Sequence, residues 1–366
     1  MKTVSEKISF EDSLTLQSGE ILSGFELMTE TYGELNSEKT NAVLVCHAFS
    51  GNHNAAGIKD GEKKPGWWDE IIGDGKTIDT TKFFVVSLNN IGGCHGSTGP
   101  TTIANESGQP YGADFPEVSV SDWVETQKLL ADHLGINCWE MVAGGSLGGM
   151  QALQWAISYP ERIKKAAIIA ASSKISTQNI ALNEVAREII KKDEHFYNGN
   201  YLSKGESPIK GLKAARMLGH ITYLSESNMS KRFGRKLQDP ENKMDADVNY
   251  EVENYLQYKG EQFSKTFDAN SYILMTKAMD SFDPAKDFDD DLVKCLQSIQ
   301  AKLLIASFDS DWLFPKEYGL EIQMSAIKAG IDSTYIELDG DYGHDSFLFY
   351  SDQYAAALKN FLNSNG

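Results

Sequence analysis

The spacing of apolar residues changes character several times along the chain. From residue 7 to residue 35 apolar and polar positions alternate, as in Leu14-Thr15-Leu16-Gln17-Ser18-Gly19 and Phe25-Glu26-Leu27-Met28-Thr29, with Gly19 and Gly24 between the runs. Period two broken by glycine predicts antiparallel strands at a sheet edge. Asn41 to Cys46 is then a solid apolar run suited to a central strand, and Phe83 to Leu88 is another. Between residues 118 and 134 the period lengthens: Val120, Trp123, Val124, Leu129, Leu130 and Leu134 recur near helical spacing, and Gly135 closes the pattern. A short strand ending at Ala143, a helix from Leu147 to Tyr159 stopped by Pro160, and an apolar strand over 165–171 follow. This strand–helix–strand rhythm predicts a parallel sheet.

The rhythm stops at residue 172. Up to residue 295 the pattern predicts helices without strands, at Ile180–Ile190, Ile209–Leu218, Met229–Leu237 and Tyr250–Tyr258, with a polar break at Asp239-Pro240-Glu241-Asn242-Lys243-Met244. Strands return with Ala301–Ser307 and Ser333–Leu338, each followed by a helix, the first running to about Ala329 and the second over Asp352–Leu362. The expected organisation is an α/β core, mostly parallel, built from residues 1–171 and 296–366, with residues 172–295 inserted as a helical lid.

Composition narrows the choice of partners. The 366 residues are 41% hydrophobic, enough for a large core, and the formal charge of −18 repels nucleic acid and anionic membrane. No apolar run approaches the roughly 20 residues that span a bilayer, and Met-Lys-Thr-Val-Ser-Glu-Lys lacks a signal-peptide core, so a cytoplasmic protein is expected. Cys46, Cys94, Cys138 and Cys295 show no C-x-x-C spacing and read as buried free thiols. The basic run Lys231, Arg232, Arg235 and Lys236 reads first as a solvated helix face, with contact to phosphates of a large anionic substrate as the alternative.

Candidate chemistry collects where strands end. Gly144-Gly145-Ser146-Leu147-Gly148 is a G-x-S-x-G sequence between a strand and a helix, the setting in which a serine hydroxyl is held out above a sheet with helix N–H groups beside it. Cys46-His47-Ala48-Phe49 ends another strand, where the backbone N–H of Phe49 is placed to be a second oxyanion donor; His47 is expected to shape that loop, its alternative role being the catalytic base. The loop from Asn89 to Pro100 is dense in glycine and able to approach a ligand, but holds no phosphate-loop motif. Two later loops carry Asp309 and Asp311, and then His344. The order Ser146, Asp311, His344 is that of the α/β-hydrolase triad, in which histidine takes the serine proton and a carboxylate fixes the histidine tautomer. Spacing alone does not separate Asp311 from Asp309. No H-E-x-x-H or comparable ligand spacing points to a metal.

Six stretches together resemble the homoserine O-acyltransferases, most closely the homoserine O-acetyltransferases of methionine biosynthesis: residues 46–51, 92–100, 144–151, Arg216-Met217-Leu218-Gly219-His220-Ile221-Thr222-Tyr223, Asp311-Trp312-Leu313-Phe314-Pro315 and 343–348. The resemblance covers nearly the whole chain. It implies an α/β-hydrolase fold, Ser146 as nucleophile, Asp311 rather than Asp309 as the triad carboxylate, His344 as base, and Phe49 and Leu147 as oxyanion donors. It also implies Arg216 for the carboxylate of L-homoserine, Asp345 for its ammonium group, acetyl-CoA as acyl donor with no tightly bound cofactor, and a homodimer through the lid helices. Related enzymes differ in succinyl for acetyl and serine for homoserine, and the fold also serves esterases, so these stand as the alternatives. Leu147 replaces a methionine common in the family, which keeps the backbone N–H in place.

Overall fold

A single large sheet carries the architecture of the computed structural model, which describes residues 1–59, 61, 64–104, 107–238 and 250–364. Its eight strands are β1 (Thr3–Phe10), β2 (Phe25–Tyr32), β3 (Ala42–Cys46), β4 (Phe84–Leu88), β5 (Met141–Gly145), β6 (Lys165–Ile169), β7 (Lys302–Phe308) and β8 (Ser333–Leu338). They lie in the order β1-β2-β4-β3-β5-β6-β7-β8. The first two pairings, β1 with β2 and β2 with β4, are antiparallel, and the rest are parallel. The alternating residues 7–35 therefore build the edge, as their period predicts, with the additional short hairpin Leu14–Thr15 and Ile21–Leu22.

The solid apolar runs are explained by burial on both faces. Along β3, Leu44 and Cys46 enter one core cluster and Val43 and Val45 the other. Chain direction across the sheet reverses at β3, since β4 pairs on one side of it and β5 on the other. A crevice opens at the carboxyl ends of the strands at such a reversal, and that is where the loops after β3 and β5 meet.

Helices α1 (Val120–Leu134) and α2 (Leu147–Ser158) supply the crossovers on either side of β5. Ser119 caps α1 by a reciprocal box with Asp122, and Gly135 ends it at φ 70°, a conformation glycine adopts without a steric penalty. Beyond β6 the chain forms α3 (Thr177–Lys191), α4 (Ile209–Tyr223), α5 (Glu226–Arg232), α6 (Glu251–Ser264), α7 (Ala269–Asp280) and α8 (Leu292–Leu296) before β7. Helices α9 (Lys316–Lys328) and α10 (Asp352–Asn363) follow β7 and β8. Among the described residues no helix is long and apolar enough to cross a membrane.

Three details differ from the pattern reading. Helix α5 lies at 226–232 rather than 229–237, because Ser225 caps its start and Gly234 turns away at φ 51°. Helix α7 has no amphipathic signature: Tyr272, Leu274, Met275, Ala278 and Met279 are all buried, together with Asn270, Ser271 and Thr276. Cys46 and Cys295 are buried free thiols, whereas Cys94 and Cys138 are only half-buried. The polar break at 239–244 lies outside the described residues.

Candidate active site

Ser146 sits between β5 and α2 at φ 58° and ψ −125°, a backbone conformation costly for any residue with a Cβ. Its neighbours make the turn possible by lacking side chains. A Cβ on Gly144 would lie 2.4 Å from the backbone of Gly148, and one on Gly148 would lie 2.1 Å from the carbonyl oxygen of Cys46. Strand, turn and helix thus approach to backbone contact, leaving the serine hydroxyl outside that contact.

The hydroxyl is met by the histidine loop after β8. His344 Nε2 lies 2.8 Å from Ser146 Oγ, and His344 Nδ1 lies 2.7 Å from Asp311 Oδ2. The other carboxylate oxygen, Asp311 Oδ1, accepts the N–H groups of Leu313 at 3.0 Å and Phe314 at 2.8 Å, so it is held by its own loop. Asp309 is elsewhere: its Oδ1 accepts the N–H of Gly340 at 2.8 Å and ties the acid loop to the histidine loop. All three members of the chain are buried. The ring of Phe314 stacks on His344 with centroids 4.8 Å apart, which fixes the imidazole plane.

The loop after β3 is set by a polar network that motif reading does not reveal. The backbone N–H of Asn90 donates to His47 Nε2 at 3.2 Å, which places the ring hydrogen on Nδ1, and Nδ1 donates to the carbonyl of Ala48 at 2.8 Å. That carbonyl and the N–H of Phe49 belong to one peptide group and point in opposite directions, so the bond to His47 fixes where the Phe49 N–H points. Burial pushes the His47 pKa down to about 4, so the ring is neutral near neutral pH. With both nitrogens engaged, His47 has none free to exchange a proton with Ser146.

Gln151, one turn into α2, joins the two sides of this arrangement. Its Nε2 donates to the carbonyls of His47 at 3.3 Å and Leu147 at 3.2 Å, while its Oε1 accepts from Asn90 at 3.1 Å and Gln127 at 2.6 Å. A fully buried glutamine so satisfied sets the loop carrying Phe49 against the helix start carrying Leu147. Replacing it with leucine takes a donor from the His47 carbonyl and an acceptor from the buried amides of Asn90 and Gln127; a stability loss of about 2 kcal/mol is expected from that desolvation. A fall of roughly tenfold to a hundredfold in kcat, with a smaller change in KM, is expected from a displaced oxyanion donor. Unchanged kcat in a folded Gln151→Leu protein would remove the link between this network and the reaction.

From the helices between β6 and β7, Arg216 of α4 reaches the loop after β3, where its Nη1 lies 3.1 Å from Ser50 Oγ. Its guanidinium lies over the rings of Phe263, at 4.6 Å, and Tyr223, at 5.3 Å. Asp345 follows His344 directly. Burial raises its carboxyl pKa, while His344, Arg216 and Lys259 pull it back down. Arg216 and Asp345 feel each other electrostatically but form no salt bridge with one another among the described residues. Phe49, Tyr272, Leu313 and Phe314 line, with Ser146 and His344, a narrow cavity to which α3, α4 and α7 contribute the remaining walls. Among the described residues no group of three or more His, Cys, Asp or Glu side chains is placed to hold a metal ion.

The expected site residues therefore meet at one end of the sheet, and the two aspartates are told apart by their hydrogen bonds. Gln151, Asn90 and Gln127 are the contributors that the sequence did not single out. Gln151 lies within a quoted motif, but its type carries no chemical signal of its own.

Comparison with known proteins agrees with this geometry. The profile of the alpha/beta hydrolase fold family matches residues 41–349. A homoserine O-succinyltransferase of Neisseria gonorrhoeae is 53% identical over 360 residues, covering 98% of this chain and 95% of that one. The crystal structure of homoserine O-acetyltransferase from Bacillus anthracis superposes with a TM-score of 0.92 at 28% identity, covering 100% of this chain and 98% of that one. Esterase E22 superposes with a TM-score of 0.89 at 30% identity, over 99% of this chain and 100% of that one.

Proposed function

The chain belongs to the homoserine O-acyltransferases of the α/β-hydrolase fold, and from that membership we propose that it moves a succinyl group from succinyl-CoA to the hydroxyl of L-homoserine through an acyl-serine intermediate. Acetyl, the donor expected from the motifs, gives way to succinyl because the 53% identical relative is named a succinyltransferase, whereas the acetyltransferase neighbour shares only 28% of its residues.

The proposed steps follow the hydrogen-bonded chain. Ser146 Oγ attacks the thioester carbonyl as His344 Nε2 takes its proton, and Asp311 holds the imidazolium that results. The carbonyl oxygen becomes an oxyanion facing the N–H groups of Phe49 and Leu147. Collapse breaks the C–S bond, and the CoA thiolate leaves with the proton from His344. The homoserine hydroxyl then gives its proton to His344 and attacks the acyl-serine, and Ser146 departs with that proton restored.

The observation that supports the acceptor assignment is the pair Arg216, which reaches Ser50 in the loop after β3, and Asp345, which follows His344 in the chain. A small zwitterion needs one fixed charge of each sign, and an esterase releasing acyl groups to water needs neither. The esterase reading has its own support in the 30% identity to esterase E22. Thiol release from succinyl-CoA and acetyl-CoA, each with and without L-homoserine or L-serine, separates the possibilities. Homoserine-dependent release, faster with succinyl-CoA, is expected. Continuous release beyond the first equivalent without any acceptor would replace the transferase reading with hydrolysis, and preference for acetyl-CoA would return the donor to acetyl.

A further inference from the structure

The four basic residues at the end of α5 have different surroundings. Lys231 pairs with Asp341 at 3.0 Å, Arg235 donates to the Tyr250 hydroxyl at 2.8 Å, and Lys236 turns back to the carbonyl of Arg232. Arg232 instead lies over the Tyr255 ring, 4.9 Å from its centroid, and over Phe233 at the same distance. The ammonium of Lys259, one turn along α6, is 5.7 Å from the centroid of that same Tyr255 ring. Neither Arg232 nor Lys259 has a carboxylate partner among the described residues, although the lid lysines Lys210, Lys231 and Lys265 each have one.

These two cations are continuous with the candidate site. Tyr255, Lys259 and Phe263 stand four residues apart on α6 and so share one helix face, and the Phe263 ring carries the guanidinium of Arg216. Buried His220, whose Nδ1 lies 3.3 Å from the Tyr255 hydroxyl, is held neutral by burial and by Arg216, Lys259 and Arg232 acting together. Lys259 is half-buried, and burial, Lys64, Arg216 and Arg232 disfavour its charged form more than Asp345 favours it. Retaining a partly desolvated ammonium beside another cation costs free energy that a neutral side chain would avoid, in a protein whose net charge is −18 and where carboxylates are plentiful.

Charge balance then points to a ligand. A zwitterionic acceptor brings one negative and one positive group, matching Arg216 and Asp345. Arg232 and Lys259 remain unmatched, and the other substrate of the proposed reaction is a polyanion. We propose that Lys259 and Arg232 form a receiving site for an anionic group of the acyl donor, at the outer end of the aromatic row Phe263–Tyr255. The inference rests on the acyltransferase reading. The shared chemistry is an oxyanion taking charge-assisted hydrogen bonds, supplied either by the phosphates of the CoA nucleotide or by the distal carboxylate of a succinyl group.

Four donors tell these sources apart: succinyl-CoA, acetyl-CoA, and the succinyl and acetyl thioesters of N-acetylcysteamine, which lack the nucleotide. Steady-state kinetics with each donor are measured for the parent protein and for Lys259→Gln, Arg232→Gln and the double variant. Lys259→Arg serves as the charge-conserving rescue, and Lys231→Gln as a neighbouring control. The expected result is a donor KM raised roughly tenfold in the double variant, the loss typical of one charge-assisted contact, with homoserine KM unchanged and Lys259→Arg near the parent. A rise for both CoA esters but neither N-acetylcysteamine ester assigns the phosphates. A rise for both succinyl donors but neither acetyl donor assigns the carboxylate. Unchanged donor KM throughout, or a change in homoserine KM alone, overturns the proposal. Parent protein that goes on releasing thiol beyond one equivalent per active site without homoserine instead overturns the acyltransferase reading, so the two failures are distinguishable.

Discussion

Replacing Ser146 with alanine is expected to abolish acyl-enzyme formation and to lower kcat by at least about 10,000-fold, the scale seen when a serine nucleophile is deleted from a triad. Without the hydroxyl, His344 Nε2 loses the group 2.8 Å away from which it would take a proton, and no other hydroxyl among the described residues is hydrogen-bonded to it. Intact mass after mixing with succinyl-CoA is the direct measurement: a succinyl adduct on the parent and none on the variant. An adduct of equal occupancy on Ser146→Ala places the acyl group elsewhere and sinks the proposed steps. Stability is expected to change little, because alanine keeps the Cβ and hence the strain at φ 58°. Ser146→Gly is the informative companion. Glycine relaxes that conformation, so the glycine variant is expected to be as inactive as the alanine one yet to melt at a higher temperature, by the equivalent of up to about 1 kcal/mol. An inactive variant that is also more stable shows that loss of function did not come from loss of fold.

The parts of this molecule that were legible beforehand are those governed by period and by glycine. The antiparallel edge of β1 and β2, the buried central strands and the turn around Ser146 each follow from local chemistry, because alternation, solid apolar runs and missing side chains have few other uses. Helix α7 was illegible for the same reason that it is well packed: a helix buried on nearly every side shows no polar stripe, and only the Asp268 side chain accepting from Ser271 N–H marks its start. Gln151 was illegible for another reason. Its four hydrogen bonds reach His47, Leu147, Asn90 and Gln127, drawn from separate stretches of chain, and their meeting depends on the strand order across β3. The basic run 231–236 shows a third kind of limit. Four similar residues share one stretch, but only the position of Tyr255 and Asp341 in space separates Arg232, which has no carboxylate partner among the described residues, from the paired Lys231.

Asp311→Asn is expected to lower kcat by about 10,000-fold while Asp309→Asn lowers it by less than tenfold. An asparagine at 311 retains an acceptor oxygen for the N–H groups of Leu313 and Phe314, so the loop survives. What it loses is the charge facing His344 Nδ1 at 2.7 Å, and with it the tautomer that leaves Nε2 free to accept the serine proton; the cost of such a change in other triads is of this order. At 309 the side chain accepts one backbone N–H, that of Gly340, and an asparagine oxygen can accept it equally. The consequence of Asp309→Asn is therefore confined to the tether between the acid and histidine loops. The ratio of the two effects is the test, read as single-turnover acylation rates with thermal melting as the control for folding. Equal losses would mean that the tether, rather than the charge beside His344, limits the reaction, and a larger loss at 309 would move the triad carboxylate to that position. The prediction is sharp because the two residues stand two positions apart in one loop, and only their hydrogen-bond partners distinguish them.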